Sequence, residues 1–493
     1  MTARTELNTL EASGLVQVAT LEPELEYLFR HALVQDAAYS SLLKQDRRML
    51  HRLAAQTLVA LYPERRHELA AVIAMHFEQA GDPTAAAEHF VIAGEQALER
   101  FANREGVVFF DHAEASLGPD DQRIDLRLRA ALGGAKVSWT FRGPAEAIGR
   151  LERASDVGEA HGDRRLLADI YFWIAFLRRS RGEVVTTSAE LKRAVDRAAA
   201  IGAELGDPTA QAIPTAYMAV GMIFSGQLKE GTALLGPALD TIATKADPVS
   251  ASILAGLLTL GNARRGEFAA AERSLELAAR LARNGDPIAT LDADIARSGL
   301  LVERGDIAAG ELLATTCAAR SEELGVIACA APANMITGIA HLARDDVEGA
   351  RAPLERGEEV AHLIGMLGFQ TVVEGLLGSV QARLGDLPRG TATWAVALER
   401  AGSMHDRYGE AVTRWQRAIA LARATPPDHT TALADLDSAT ALFDEMGARP
   451  SLARTLRERA RVLGALGRSA DAGADERRSR AIAADLGLKD FAP

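Results

Sequence analysis

Cysteine is almost absent from this chain of 493 residues; Cys317 and Cys329 are the only two. Two thiols cannot build a disulfide framework, and neither sits in a CxxC pair of the kind that holds zinc, so a reducing compartment is expected. Aromatic residues are scarce at 5%, which argues against one large aromatic core. Long apolar runs are missing as well. The most apolar stretch, Ser252 to Leu260, is too short to cross a bilayer, and Glu6 and Glu11 stand where a signal peptide would need its apolar segment. A cytoplasmic protein is expected. Positive charge is in deficit, with 55 Lys and Arg against 67 Asp and Glu and a net charge of −12. That balance disfavours direct nucleic-acid binding and anionic membrane surfaces, both of which rest on Lys and Arg.

What is plentiful is alanine, with 95 residues, in a chain that is 48% hydrophobic and 25% charged. Such a composition is globular and favours many closely packed helices. The length would suggest about three domains unless the chain is an array. An array is what the punctuation indicates. Short turns fall at Gly81-Asp82, Gly143-Pro144, Gly182-Glu183, Gly226-Gln227, Gly266-Glu267, Gly305-Asp306, Asp345-Asp346, Gly385-Asp386 and Gly467-Arg468. From Gly143 to Gly385 they recur every 39 to 44 residues. The final gap spans two periods with its midpoint at Pro426-Pro427-Asp428, and a weaker loop at Asn103-Arg104 precedes Gly143 by one period.

Residue types repeat around the turns. Gly266 is followed by Ala271, Leu275 and Ala278; Gly81 by Ala86, Phe90 and Ala93; Gly143 by Ile148, Leu151 and Ala154; Gly385 by Gly390, Trp394 and Ala397. Steps of four and three place these residues on one helix face, where small side chains let helix axes approach to about 8 Å. Glycine suits the left-handed end of the first helix, and a following Asp or Glu suits the start of the second. Each hairpin leaves apolar surface uncovered until the next one stacks on it. The spacing therefore predicts an all-α fold over residues 61–493, an α-solenoid of hairpins with a period of about 40 residues.

This pattern resembles the tetratricopeptide repeat, although the period is longer than in that repeat, the early Trp is absent and the terminating Pro is mostly missing. The longer period resembles arrays in large bacterial signalling ATPases and their regulators.

Residues 1–60 differ in texture. Leu15 to Val18 and Glu26 to Arg30 read as short strands around Glu22-Pro23-Glu24, followed by a helix from His31 to Leu43. The text from Tyr27-Leu28-Phe29-Arg30-His31-Ala32-Leu33 through Leu43, then Arg47-Arg48-Met49-Leu50-His51, resembles the winged-helix linker of bacterial proteins that join an adenylate/guanylate cyclase or transcription-factor module to an AAA/STAND-type ATPase and a tetratricopeptide-like sensor. The resemblance implies a winged-helix remnant leading into the array, and a sensor or regulatory part of such a protein. The family's phosphate loop has no counterpart, since the chain holds no GxxxxGK[ST] motif and no Gly-Lys pair. Two origins remain open: a fragment of a larger regulator, carrying its parent's cyclase or ATPase description, and a stand-alone array that kept the linker.

Possible chemistry is thin. Ser41-Leu42-Leu43-Lys44 matches SxxK without its partner motifs, and six histidines between His31 and His112 lack metal-ligand spacing. No catalytic residue, metal or cofactor is expected. Cys317 falls at a small core position and Cys329 reads as a buried small side chain. Two arginine clusters stand out at helix ends, Arg178, Arg179 and Arg181 before Gly182, and Arg264 and Arg265 before Gly266. Their ordinary role is to offset the helix dipole; the functional one is a basic rim for an acidic peptide or phosphate. Trp173 beside Tyr171 and Phe172 could line a groove, and Thr259, Asn262 and Asn334, polar residues in first helices, are candidates for the concave side. The expected function is a non-enzymatic scaffold that binds a protein partner or small inducer on its concave surface, with an ATPase or cyclase module as a further partner.

Overall fold

Two interleaved series of left-handed residues set the architecture. The computed structural model describes residues 3–20, 26–118, 121–183, 187–244, 248–365 and 367–491. Positive φ occurs at Gly143, Gly182, Gly226, Gly266, Gly305, Asp345, Gly385 and Gly467, the turns within hairpins. It occurs again at Gly206, Gly285, Gly325, Gly365, His405 and Gly447, the links between hairpins, and at Gly487, which ends the last helix. The second series keeps nearly the same step as the first and falls midway between its members. Because helices end readily at a left-handed residue, the chain reverses direction at each position of both series.

The N-terminal unit comprises α1 (Ala3–Ala12), β1 (Val16–Thr20), β2 (Glu26–Phe29), α2 (Ala32–Ser41) and α3 (Lys44–Leu61). The strands pair antiparallel, with Val16 opposite Phe29, Gln17 opposite Leu28 and Val18 opposite Tyr27. The expected Glu22-Pro23-Glu24 turn lies outside the described residues. The helix expected from His31 to Leu43 is α2, which ends at Ser41 because Leu42 takes extended backbone before α3. Next come α4 (Ala70–Ala80), α5 (Pro83–Glu99) and α6 (Asn103–Ser116).

Among the described residues nine hairpins follow, pairing α7 (Ile124–Arg142) with α8 (Pro144–His161), α9 (Arg164–Ser180) with α10 (Ala189–Leu205), α11 (Pro208–Phe224) with α12 (Leu228–Ile242), and α13 (Pro248–Arg265) with α14 (Phe268–Leu281). The series continues with α15 (Pro287–Arg304) and α16 (Ile307–Glu323), α17 (Ala330–Ala343) and α18 (Val347–Ile364), α19 (Gln370–Arg383) and α20 (Leu387–Met404), α21 (Arg407–Ala422) and α22 (His429–Met446), and α23 (Arg449–Ala465) and α24 (Ser469–Leu486). Among the described residues no helix is long and apolar enough to cross a membrane.

Helix starts obey the same local chemistry. Asp207 and Asp286 cap α11 and α15 by accepting from backbone N–H groups of the first turn, each followed by Pro at the first helical position. The repeated small and apolar residues are the core: Ala271, Ala278, Ala86 and Ala397 are fully buried, as are Phe90 and Trp394. Trp394 fits because Gly378 faces it without a side chain; a Cβ there would lie 2.5 Å from Nε1.

Odd-numbered helices from α7 onward form an inner layer, with α13 packed on α15 and α19 on α21, and the even-numbered helices lie outside. Hairpin turns meet links far along the chain. A Cβ on Gly143 would lie 2.7 Å from the Ile364 carbonyl oxygen, one on Gly226 2.6 Å from Met446 Sδ, and one on Gly266 2.7 Å from Leu486 Cδ2. Successive superhelical turns are therefore in contact, and one turn takes about five and a half hairpins. A core cluster spans this seam, grouping Leu128 and Ala131 with Ala328, Val360 and Ile364.

Candidate functional site

An inner layer that closes on itself encloses a lumen. A cavity of about 640 Å³ runs through it, lined from every odd-numbered helix between α7 and α23; among the even-numbered helices only Ile307, at the start of α16, reaches it. Its wall is largely apolar, with Phe176, Phe224, Leu257, Leu260, Ile295, Val372, Leu376 and Trp415. The charged groups are unequal. Eight arginines, Arg179, Arg264, Arg344, Arg383, Arg423, Arg454, Arg457 and Arg461, face five acids, Asp292, Glu303, Asp345, Glu458 and Asp490. The interior thus inverts the sign of a chain whose net charge is −12.

The stripe along α13 explains how the sequence builds this wall. Ile253, Leu257, Leu260 and Arg264 line the lumen at steps of four, three and four, while Ala255, Thr259 and Asn262 occupy the next face and turn toward α14. The arginines recur with the repeat: Arg264, Arg304, Arg344, Arg383, Arg423 and Arg461 fall at or near the ends of successive inner helices at steps of 38 to 40 residues. All but Arg304 reach the lumen; Arg304 pairs with Glu272 and stacks on Phe268.

Most lumenal arginines are spoken for by carboxylates. Arg383 and Arg423 converge on Asp345, and Arg344 on Glu311. Arg454 binds Glu303 at 3.3 Å and Asp490 at 2.8 Å, and Arg461 binds Glu458 at 2.6 Å. Arg179 donates to the Glu183 carbonyl and lies 4.5 Å from the centroid of Phe224; burial brings its guanidinium down to about 10. Arg264 is 4% exposed and lies 3.6 Å from the Tyr408 centroid. Its Nε is buried without a partner, and no hydrogen bond or ion pair reaches it among the described residues. Asp406, buried at the start of α21, feels both Arg179 and Arg264, yet its oxygens cap the helix, accepting from Gly409 N at 2.8 Å.

Asp292 is a second unmet group. Its Oδ2 lies over Gly256, buried and without a hydrogen-bond partner, and burial pushes the carboxyl up to about 7. Trp139 and Trp415 also line the cavity, each with a buried Nε1 that lacks an acceptor.

Of the residues singled out from the sequence, Arg179 and Arg264 line the lumen together. Arg178 instead bridges Glu152 at 2.5 Å and Glu183 at 3.1 Å, and Arg181 lies at the surface 4.0 Å from Glu183. Arg265 donates to Thr232 Oγ1 at 3.0 Å and, with Asn262, lines a second, more open hollow of about 1230 Å³ between α12, α14 and α15. Trp173 is a core residue, 2% exposed, edge-on to Phe176 with Lys136 over its ring, and lines neither the lumen nor the second hollow. Thr259 and Asn334 do not face the concave side. Each bonds the carbonyl one helical turn back, Ala255 and Ala330, and is packed between helices. Asp292, Tyr408 and Arg454 escaped the sequence reading; the regular recurrence of arginine was a signal that could have found the ladder.

Elsewhere chemistry is sparse. Ser41 Oγ donates to the Ala38 carbonyl in an exposed turn. His51 meets His76 at 2.8 Å and Tyr39 at 3.0 Å, but among the described residues no three His, Cys, Asp or Glu side chains converge as a metal set. Cys317 and Cys329 are both buried, and burial pushes both thiols up, Cys317 to about 12.

No protein-family model matches this sequence, and no curated protein is significantly similar to it. The fold, however, has solved counterparts. A Rap protein complexed with competence and sporulation factor superposes with a TM-score of 0.54 at 10% identity, covering 74% of this chain and 99% of that one. Cut9, from the APC/C hetero-tetramer Cut9-Hcn1, gives 0.48 at 12% identity over 92% of this chain and 90% of that one. The chain has a tetratricopeptide-like helical-repeat fold.

Proposed function

We propose that this protein is a non-catalytic regulatory scaffold: a ligand enters the lumen, and the array docks on a protein partner, an ATPase or nucleotide-cyclase module being the one its N-terminal text favours. The observation that carries this reading is the lumen itself, apolar in its walls, positive in an acidic protein, and furnished with a guanidinium that has no partner. Pockets of this kind, mostly apolar with a few convergent polar groups, are where ligands bind. The similar Rap protein was crystallised with a factor bound, which supports a binding role for the fold here.

Coupling follows from the seam. Hairpin turns touch links five and a half hairpins away, so a ligand that spreads or draws together the inner helices alters surfaces on both superhelical turns. It shifts partner docking by as much as its affinity differs between the two arrangements. The test is capture from extract of the source cells on immobilised full-length chain. Recovery of a nucleotide-hydrolysing or cyclising protein is expected; a column that retains nothing beyond a blank resin overturns the scaffold.

A further inference from the structure

Two of the lumen's unmet polar groups, on Arg264 and Asp292, lie along one apolar track, and their placement defines a ligand. Arg264 lies over the ring of Tyr408, and none of its N–H donors, the buried Nε included, meets a protein acceptor among the described residues. A planar cation presented this way in an apolar wall matches a carboxylate taken through two parallel hydrogen bonds. Asp292 lies over Gly256, eight residues before Arg264 on α13, which at the rise of a helix is about 12 Å along its axis. An unpaired carboxyl there matches an amine. Leu257, Leu260 and Ile295 form the wall beside them.

We propose that the lumen binds a short apolar peptide with both ends free, its terminal carboxylate on Arg264 and its terminal amine on Asp292. An extended chain covers about 12 Å in three or four residues, and Leu257, Leu260 and Ile295 supply apolar cover for its side chains. The remaining lumenal acids are occupied: Glu303 and Asp490 hold Arg454, Asp345 holds Arg383 and Arg423, and Glu458 holds Arg461. This inference rests on the lumen being the ligand site of the proposed scaffold and names the class of ligand.

The test is calorimetric titration of the full chain at pH 8 with the tetrapeptide Leu-Ala-Val-Leu, its C-terminal amide and its N-acetyl form. Tight binding of the free peptide is expected, with amidation and Arg264→Gln each weakening it at least tenfold. Combined, they should weaken it no further than either alone. Acetylation and Asp292→Asn should behave as a second such pair. Arg265→Gln, whose side chain points to the other hollow, should bind as the parent does, and the melting curve of each variant establishes that it is folded. The proposal falls if a folded parent shows no heat with millimolar peptide, or if the amide and N-acetyl forms bind as well as the free peptide. A chain that captures a protein partner from extract yet ignores these peptides loses this inference and keeps the scaffold; binding without capture does the reverse.

Discussion

The guanidinium of Arg264, at the end of α13, stacks 3.6 Å from the ring centroid of Tyr408, at the start of α21 four hairpins further along the chain. Tyr408 in turn donates through its hydroxyl to Glu303 at 3.3 Å, and Glu303 holds Arg454. A single polar chain therefore ties α13, α15, α21 and α23 together across the lumen. It also makes Arg264 rigid while leaving its donors unused, which is what distinguishes it from the carboxylate-bound arginines around it.

Removing Arg454 should be costly. Arg454→Ala leaves Glu303 and Asp490, 15% and 16% exposed, without their cation, and the loss expected approaches that of a buried pair, about 3–5 kcal/mol. Arg449→Ala, which breaks an exposed pair with Asp485, should cost less than about 1 kcal/mol. Urea titration of both variants checks the contrast; equal losses would mean the network contributes nothing special.

Asp292 ties stability to pH. Its folded carboxyl titrates at about 7, well above the value of about 3.9 in an unfolded chain. The native state therefore holds an extra proton between those values, and stability falls as pH rises from about 4 through 7. Asp292→Asn should raise the melting temperature at pH 8, by a stabilisation of about 2–4 kcal/mol, and leave it nearly unchanged at pH 4. A gain independent of pH would refute the assignment.

The seam between superhelical turns can be separated from backbone strain. Gly266 and Gly467 both have positive φ, 80° and 77°, so alanine at either costs about 1–2 kcal/mol. Only at Gly266 does the new Cβ strike Leu486, whereas nothing lies within 4 Å at Gly467. Gly266→Ala should therefore lower the melting temperature more than Gly467→Ala, and thermal scans by circular dichroism read the difference directly.

Ala271 is fully buried among Ala263, Leu275 and Leu300. Ala271→Arg forces a long cation into that crossing and should cost at least about 3 kcal/mol. An unaltered urea midpoint would place the helix faces elsewhere.

The buried thiols give a chemical readout. Cys317 and Cys329 are 3% and 7% exposed, and burial holds both as thiols at neutral pH. Reaction with a thiol-specific disulfide reagent should be slow in the native protein and rapid in denaturant; two fast equivalents without denaturant would contradict the packing.

The hairpin array is legible in the sequence because its information is local. Gly266, Ala271, Leu275 and Ala278 are neighbours on one turn and one helix face, and a left-handed residue at a helix end reverses the chain whatever surrounds it. The second series of reversals, at Gly325, Gly365 and Gly447, follows the same rule but carries no repeated dipeptide to mark it. Arg179 and Arg264 were visible as members of clusters at helix ends, but nothing local separated Arg264, which lines the lumen, from Arg265, which turns to the other side. That difference is one position around a helix, and it acquires meaning only when α21 and α23 come round to face α13.

What the sequence by itself determined is the repeat: all-α hairpins of one regular length, small at the crossings and acidic in sum. Tertiary structure alone decided that the array closes after five and a half hairpins, since closure depends on small rotations summed over many interfaces. That summation brings Tyr408 under Arg264, forms the lumen, and reverses its charge relative to the chain as a whole.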